Sequence, residues 1–199
     1  EGKVALIGPL ADTRNNIAGT WSVAQVPEKY TALKEAMQQA LKGKAELLYA
    51  QGSNIWRDAQ LQKNGEFDKP MQRGDNELLK AEAIKVAKDA DIIVCAMGES
   101  ADMSGECGSR TNLEMPDVQH ELLAELVKLG KPVVLLNFSG RPTVLTWEKE
   151  HVPAIMNVWF GGSEVGDAIC DVLFGDKVPS GKLTTSLPKT TGQEPLYYN

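Results

Sequence analysis

The sequence predicts an α/β fold, a three-layer α/β/α sandwich built around a mostly parallel sheet. Five short apolar runs alternate with amphipathic stretches along the chain. Because the runs are apolar at almost every position, both faces of the strands should be buried, as in parallel sheets covered by helices. Regular alternation of strand and helix then places helices on both faces of one sheet.

The predicted strands are four to six residues long. They are Val4–Ile7, Glu46–Ala50, Ile92–Met97, Val133–Phe138 and Ala154–Trp159. A further run, Leu183–Ser186, could add an edge strand in the antiparallel direction.

Helices are predicted between the strands from apolar residues spaced three and four apart. They run from Tyr30 to Gly43, from Asp75 or Asn76 to Ala90, from Pro116 to Gly130 and from Ser163 to Gly175, with a short helix within Thr143–Glu150. Asp75 or Asn76 and Ser163 are predicted N-caps, and the glycines are predicted C-terminal stops.

Composition narrows the class of protein. The 199 residues are 42% hydrophobic and 24% charged, which is ordinary for a globular chain and excludes a disordered or fibrous one. No apolar run approaches the roughly 20 residues of a membrane-spanning helix. With a net charge of -6 and no cluster of Lys or Arg, neither nucleic acid nor a membrane is an expected partner. Three cysteines lack zinc-ligand spacing, so we expect no metal or cofactor.

We find no linker or repeat that would divide the chain, so residues 1–199 are predicted to form a single domain. The chain opens on Glu1, without an initiator Met, and is already inside a strand pattern at Val4. We therefore expect it to be a segment of a longer protein whose targeting information lies upstream.

Ligands of open α/β sheets bind beyond the carboxyl ends of the strands, so a functional site is expected in the loops there. The loop from Gly98 to Pro116 contains Glu99, Glu106 and Arg110. Glycines on both sides of Glu106 would let the backbone turn and project its carboxylate outward. From spacing alone, a solvated acidic loop would read the same way.

Two stretches bear a family resemblance. Ser104-Gly105-Glu106, followed by Ser109-Arg110-Thr111-Asn112-Leu113, resembles the acid/base loop of family 3 glycoside hydrolases, the β-glucosidase and β-xylosidase group. Trp159–Glu164, Asp167–Asp176 and Pro179–Leu183 resemble the stretch that closes the second domain of that family. The likeness extends from about Val4 to Tyr198.

This resemblance implies a retaining, exo-acting β-glycosidase that hydrolyses terminal β-linked glucose or xylose residues of oligosaccharides or glycosides. Carried over by position, Glu106 is the general acid/base. The nucleophilic Asp would belong to a barrel domain upstream of Glu1, so the isolated segment is expected to fold but not to turn over substrate. A periplasmic or secreted location fits such an enzyme.

Four other residues are assigned supporting roles. Glu99 would anchor the loop, by accepting backbone hydrogen bonds or as a partner behind the acid. Arg110 would either position Glu106 or hold the loop by a salt bridge, and we favour the salt bridge because a permanent cation beside a general acid lowers the pKa of that acid. Trp21 and Trp56 would stack on a sugar ring or pack against the neighbouring domain.

Two alternatives stay open. Within the family, the hexosaminidase branch typically takes its acid/base from a His on the barrel, so the Glu106 loop argues against it. Outside it, the chain would be a non-catalytic α/β module that binds carbohydrate or stabilises a partner. His120 and His151 lack the neighbours of a catalytic or metal site and are predicted bystanders.

Overall fold

A computed structural model describes residues 2–66 and 70–197, and a five-stranded sheet lies at its centre. The strands are β1 (Gly2–Ile7), β2 (Ala45–Ala50), β3 (Ile92–Gly98), β4 (Val133–Phe138) and β5 (Ala154–Asn157). Their order is β2-β1-β3-β4-β5, and every neighbouring pair is parallel. All five strands were predicted from the apolar runs, although β5 ends at Asn157 rather than Trp159.

Six α-helices are present in the described part of the chain. They are α1 (Leu33–Ala40), α2 (Ala59–Asn64), α3 (Asn76–Asp89), α4 (Asp117–Val127), α5 (Thr146–His151) and α6 (Val165–Leu173). The helices α1 and α6 pack together on one face of the sheet, and α3 packs beside α4 on the other. The predicted three-layer α/β/α sandwich is confirmed.

Strand β1 shows how the layers are filled, since successive side chains of a strand point to opposite faces. Val4 and Leu6 join the apolar cluster that contains Leu33 of α1. Ala5 and Ile7 join the cluster on the other face, which includes Leu122 of α4. Burial on both faces explains why the strand reads as an uninterrupted apolar run.

Helix ends agree with their predicted caps in some places and not in others. The Asp75 side chain accepts hydrogen bonds from the amides of Glu77 and Leu78, as an N-cap does. The predicted cap at Ser163 is wrong, because α6 begins at Val165 and the N-cap position is Glu164, without a side-chain bond.

The predicted edge strand at Leu183–Ser186 is also wrong, since these residues form no strand and the sheet is parallel throughout the described chain. Leu183 is 58% exposed, and most residues from Gly175 to Ser186 face solvent. Pairing this segment with β5 would therefore bury little apolar surface to offset the entropy of ordering it. Within residues 2–66 and 70–197, no helix has the length and hydrophobicity that crossing a bilayer requires.

The strands end together at one side of the sheet, which we call the carboxyl edge. Chain order reverses there between β1 and β3, the topological switch point at which open α/β sheets bind ligands. Gly98 ends β3 with a φ of 127°, and a side chain at this position would lie 2.0 Å from the carbonyl oxygen of Phe138 in β4. Gln119 of α4 holds the same residue, accepting from its amide at 2.8 Å and donating to its carbonyl at 2.9 Å.

Candidate active site

The loop after β3 forms a tight turn around Glu106. Within the segment Ser104–Gly108, which we call the Glu106 turn, Gly105 has a φ of 109° and Cys107 a φ of 62°. The Gly108 amide closes the turn by donating to the Gly105 carbonyl at 3.1 Å. Glu106 at its tip is exposed, and no residue that the structure describes forms a hydrogen bond or ion pair with its carboxylate.

The loop after β1 holds one side of the Glu106 turn. The Thr20 hydroxyl lies 2.7 Å from the carbonyl oxygen of Ser104 and also contacts that of Ala101. Trp21 is 70% exposed, and its indole nitrogen would be 3.2 Å from a side chain built at Gly105. An exposed aromatic side chain therefore lies against the Glu106 turn at Gly105.

The loop after β4 holds the other side of the turn. Arg141 donates from Nη2 to the carbonyl oxygen of Gly108 at 2.6 Å and to that of Met103. Its Nε lies 3.2 Å from Oε1 of Glu99. The guanidinium thus links the residue before the Glu106 turn and the last residue of that turn to a buried carboxylate.

Glu99 is the buried centre of this arrangement, with 1% of its surface exposed. Arg110 Nη1 donates to Oε1 at 2.6 Å, while the Ser139 hydroxyl lies 3.0 Å and the Gly140 amide 3.4 Å from Oε2. Charge-assisted hydrogen bonds from both sides satisfy a carboxylate that would otherwise be costly to bury. Glu99 is therefore anchored by one hydrogen bond each from Arg110, the Ser139 hydroxyl and the Gly140 amide, with Arg141 as a second counter-ion.

Arg110 is committed to Glu99 and to the loop backbone. Its Nη2 donates to the Glu114 carbonyl at 2.8 Å, and its guanidinium lies 5.2 Å from the centroid of the Trp56 ring. This is the loop-holding salt bridge that the sequence predicts for Arg110. Trp56 covers that ion pair, whereas Trp21 borders the Glu106 turn.

The loop after β5 completes the carboxyl edge. Phe160 packs against Gly19 and Gly140, where side chains built at these glycines would lie 3.3 and 2.9 Å from its ring. The Gly162 amide donates to the Ile17 carbonyl at 2.8 Å. Four loops from different strands are thus fastened to one another around the Glu106 turn.

Sequence reasoning brought Glu99, Glu106 and Arg110 onto one loop but missed Arg141 and Ser139. Both follow β4, and no sequence pattern indicates that residue 141 contacts residues 103–108, which lie more than thirty positions earlier. One signal was available: a buried carboxylate at the end of β3 needs partners, and the adjacent strand β4 ends beside it.

The three cysteines differ sharply in environment. Cys107 is exposed beside Glu106, while Cys95 and Cys170 are buried. Burial raises the pKa of both inner thiols to about 12, so they remain protonated at neutral pH. Of the described residues, no group of His, Cys, Asp and Glu is placed to hold a metal ion.

A depression of about 480 Å³ lies between the loops that follow β1 and β2. Its wall includes Asp12, Arg14, Tyr49 and Gln51, and none of the residues from 98 to 116. Arg14 is paired with Glu35, and Asp12 with Lys34. The depression is therefore separate from the exposed acid, and its charges are already matched.

Fold and site together define a class, an α/β sandwich domain that presents an uncommitted carboxylate at the carboxyl edge of its sheet. Residues 1–199 match the family model described as the glycosyl hydrolase family 3 C-terminal domain. The chain belongs to that family.

Similar proteins carry glycosidase names. The chain is 41% identical over 202 residues to a periplasmic beta-glucosidase of Salmonella typhimurium, covering all of this chain and 26% of the relative. It is 33% identical to a beta-xylosidase of Formosa agariphila, covering 98% of this chain and 25% of that protein. The solved beta-glucosidase of Listeria innocua in complex with gluconolactone superposes with a TM-score of 0.82 at 32% identity, over all of this chain and 24% of that one.

The chain therefore spans about a quarter of the length of these relatives. It corresponds to one domain of the β-glucosidases and β-xylosidases, which are glycosyl hydrolases. Most of each relative has no counterpart in these 199 residues.

Proposed function

We propose that this chain is the acid/base-bearing domain of a retaining, exo-acting β-glycosidase that removes terminal β-linked glucose or xylose. Glu106 protonates the departing glycosidic oxygen and then deprotonates the water that releases the sugar. One observation carries the proposal: the Glu106 carboxylate is exposed and uncommitted, whereas Arg110, the nearest cation in sequence, is bound to Glu99. Among residues 2–66 and 70–197, a proton donor at this position meets no competing ion pair.

The reaction requires a second carboxylate. In retaining glycosidases the two carboxyl groups are roughly 5 to 5.5 Å apart, and the second one attacks the sugar. We assign this nucleophile to a barrel domain of the full-length protein that docks against the carboxyl edge. The length of the relatives leaves ample room for such a domain.

Substrate contacts and location are part of the same proposal. Trp21, next to the Glu106 turn, is the better placed of the two predicted tryptophans to stack on the leaving-group sugar, since Trp56 lies against Arg110. The names of the relatives support glucose or xylose as the released sugar, and the Salmonella relative supports a periplasmic or secreted location.

Replacement of the acid in the full-length enzyme tests the proposal. Glu106→Ala should lower kcat/KM for an alkyl or disaccharide substrate by about 10²- to 10⁴-fold, the usual contribution of general acid–base catalysis. A dinitrophenyl glycoside should be cleaved with little loss in the first step, because that leaving group departs without a proton. Azide, which attacks without a general base, should restore turnover and yield a β-glycosyl azide.

Glu114→Ala is the matched control. Glu114 is an exposed acid of the same loop, and its substitution preserves the backbone carbonyl that Arg110 uses. Equal losses in the two variants, or a Glu106→Ala loss that is the same for every leaving group and insensitive to azide, would reject Glu106 as the acid/base. The non-catalytic module would then be the better interpretation.

A further inference from the structure

Arg141 is the side chain that connects the Glu106 turn to the core of the domain. It lies three residues after the end of β4 and reaches the loop that follows β3. Its Nη2 group binds the carbonyl oxygens of Met103 and Gly108, the residues that bracket Ser104 to Cys107. The Thr20 hydroxyl, by comparison, contacts the carbonyl oxygens of Ala101 and Ser104, at the first end of this segment.

The orientation of Arg141 is itself determined by buried groups. Its Nε lies 3.2 Å from Oε1 of Glu99, an ion pair that lacks hydrogen-bond geometry, and only 20% of its side-chain surface is exposed. The Ser139 hydroxyl accepts from the Arg141 amide at 3.0 Å and also lies next to Oε2 of Glu99, so the backbone at residue 141 is held by the same carboxylate. A planar guanidinium can contact a carboxylate along one edge and donate to two carbonyl oxygens along another, which the compact ammonium group of Lys cannot do.

Arg110 provides an internal comparison. It binds the same oxygen of Glu99 at 2.6 Å and carries the same charge. Its second contact is the Glu114 carbonyl, outside the Glu106 turn. The two arginines therefore share the task of neutralising Glu99, but Arg141 alone of the pair touches the backbone that carries the acid.

We propose that Arg141 is a positioning residue for proton transfer, which sets the place of the Glu106 carboxylate by holding both ends of its turn. This inference rests on the proposed function of Glu106. A displacement of about 1 Å at a reacting group can cost on the order of 10²-fold in rate. Loosening the turn should therefore impair the step that needs the proton and spare the sugar-binding and nucleophilic groups.

The test compares Arg141→Lys with Arg110→Lys in the full-length enzyme. Both variants keep a positive charge beside Glu99, so both should lower the unfolding temperature to a similar extent. Arg141→Lys should reduce kcat/KM about 10- to 100-fold for a glycoside with a poor leaving group and less than about 3-fold for a dinitrophenyl glycoside. The dependence of log kcat/KM on leaving-group pKa should steepen towards that of Glu106→Ala, whereas Arg110→Lys should leave the slope unchanged.

The outcomes separate this inference from the function on which it rests. A normal slope in Arg141→Lys, or the same change of slope in both lysine variants, would overturn the positioning role while Glu106→Ala still shows its own leaving-group dependence. If Glu106→Ala itself shows no such dependence, the proposed function fails first. Should Arg141→Lys not fold, Arg141→Gln serves in its place, because Arg110 remains as the counter-ion of Glu99; its slope must steepen for the inference to stand.

Discussion

The imidazole of His120 lies against a carboxylate that is almost completely withdrawn from water. Its Nδ1 is 3.1 Å from Oε1 of Glu148, and Glu148 is 3% exposed. The hydrogen bond to Glu148 raises the pKa of His120 above the ordinary 6.5, although burial acts in the opposite direction. Glu114 and Glu121 add to the increase. A residue predicted to be a bystander is therefore tied to the packing of α4 against α5.

The raised pKa makes part of the folding free energy depend on pH. A group whose pKa is higher in the folded state contributes its full stabilisation below its unfolded pKa and loses it as pH rises through the folded value. We expect His120→Gln to lower the free energy of unfolding by up to about 1 kcal/mol near pH 5.5, as for a half-exposed ion pair, and by less near pH 8.5. Urea denaturation at both pH values measures this.

His151→Gln is the control for that experiment. His151 stacks on the Trp147 ring with ring centroids 4.4 Å apart, but its Nδ1 contacts the Trp147 carbonyl instead of a carboxylate. A pH-dependent difference as large in His151→Gln as in His120→Gln would contradict the assignment to the Glu148 pair.

Features of single residues could be predicted where the relevant sequence pattern lay within one loop. Glycines beside Glu106 indicated an exposed turn. Arg110 had several acids nearby in the sequence as possible salt-bridge partners, both before and after it. Pattern reasoning could not choose Glu99, because that pairing depends on how the loop folds back over the end of β3. Arg141 was out of reach for the same reason, since its partners lie more than thirty residues earlier.

At the scale of elements, the end of β3 depends on the absence of a side chain. Gly98→Ala should lower the free energy of unfolding by about 3 kcal/mol, because it combines backbone strain at positive φ with a clash against β4. The control is Gly43→Ala. Gly43, in the turn after α1, also has a positive φ, of 72°, but a side chain added there would meet no atom within 4 Å. That control should lose only about 1 kcal/mol, the cost of the left-handed conformation.

Denaturant unfolding of the two alanine variants measures the difference. Equal losses would mean that the contact with the Phe138 carbonyl is relieved by a backbone shift. A large loss confined to Gly98→Ala would show that β3 and β4 cannot separate at the point where the loop carrying Glu106 begins.

Elements were predicted well where burial imposed a repeat and poorly where it did not. The five strands and the helices α1, α3, α4 and α6 have apolar patterns because each packs against the sheet. Helix α2 has six residues and only Gln62 buried, so it offers no periodic signal beyond its cap at Asp58. The strand predicted at Leu183–Ser186 was wrong for the opposite reason, because this short run has a strand-like sequence but is not buried.

At the scale of the whole molecule, the chain should fold on its own but should not catalyse the proposed reaction alone. Two apolar layers cover the sheet, so we expect the isolated domain to unfold in one cooperative transition. Because the proposed reaction needs a second carboxylate from another domain, the isolated chain should release no nitrophenol from an aryl β-glucoside. Circular dichroism on heating tests the first statement, and an assay at high protein concentration tests the second. Sustained turnover by the isolated chain would contradict the proposal that another domain supplies the second carboxylate.

All five strands run in the same direction, and this gives the domain two chemically different ends. Every connection from a helix into the next strand lies opposite Glu106, including the turns that contain Gly43 and Gly130, where an added side chain would meet open solvent. A peptide tag or a surface linker inserted at those turns would extend away from the acid. The isolated domain could therefore be immobilised by that end with its carboxyl edge left accessible.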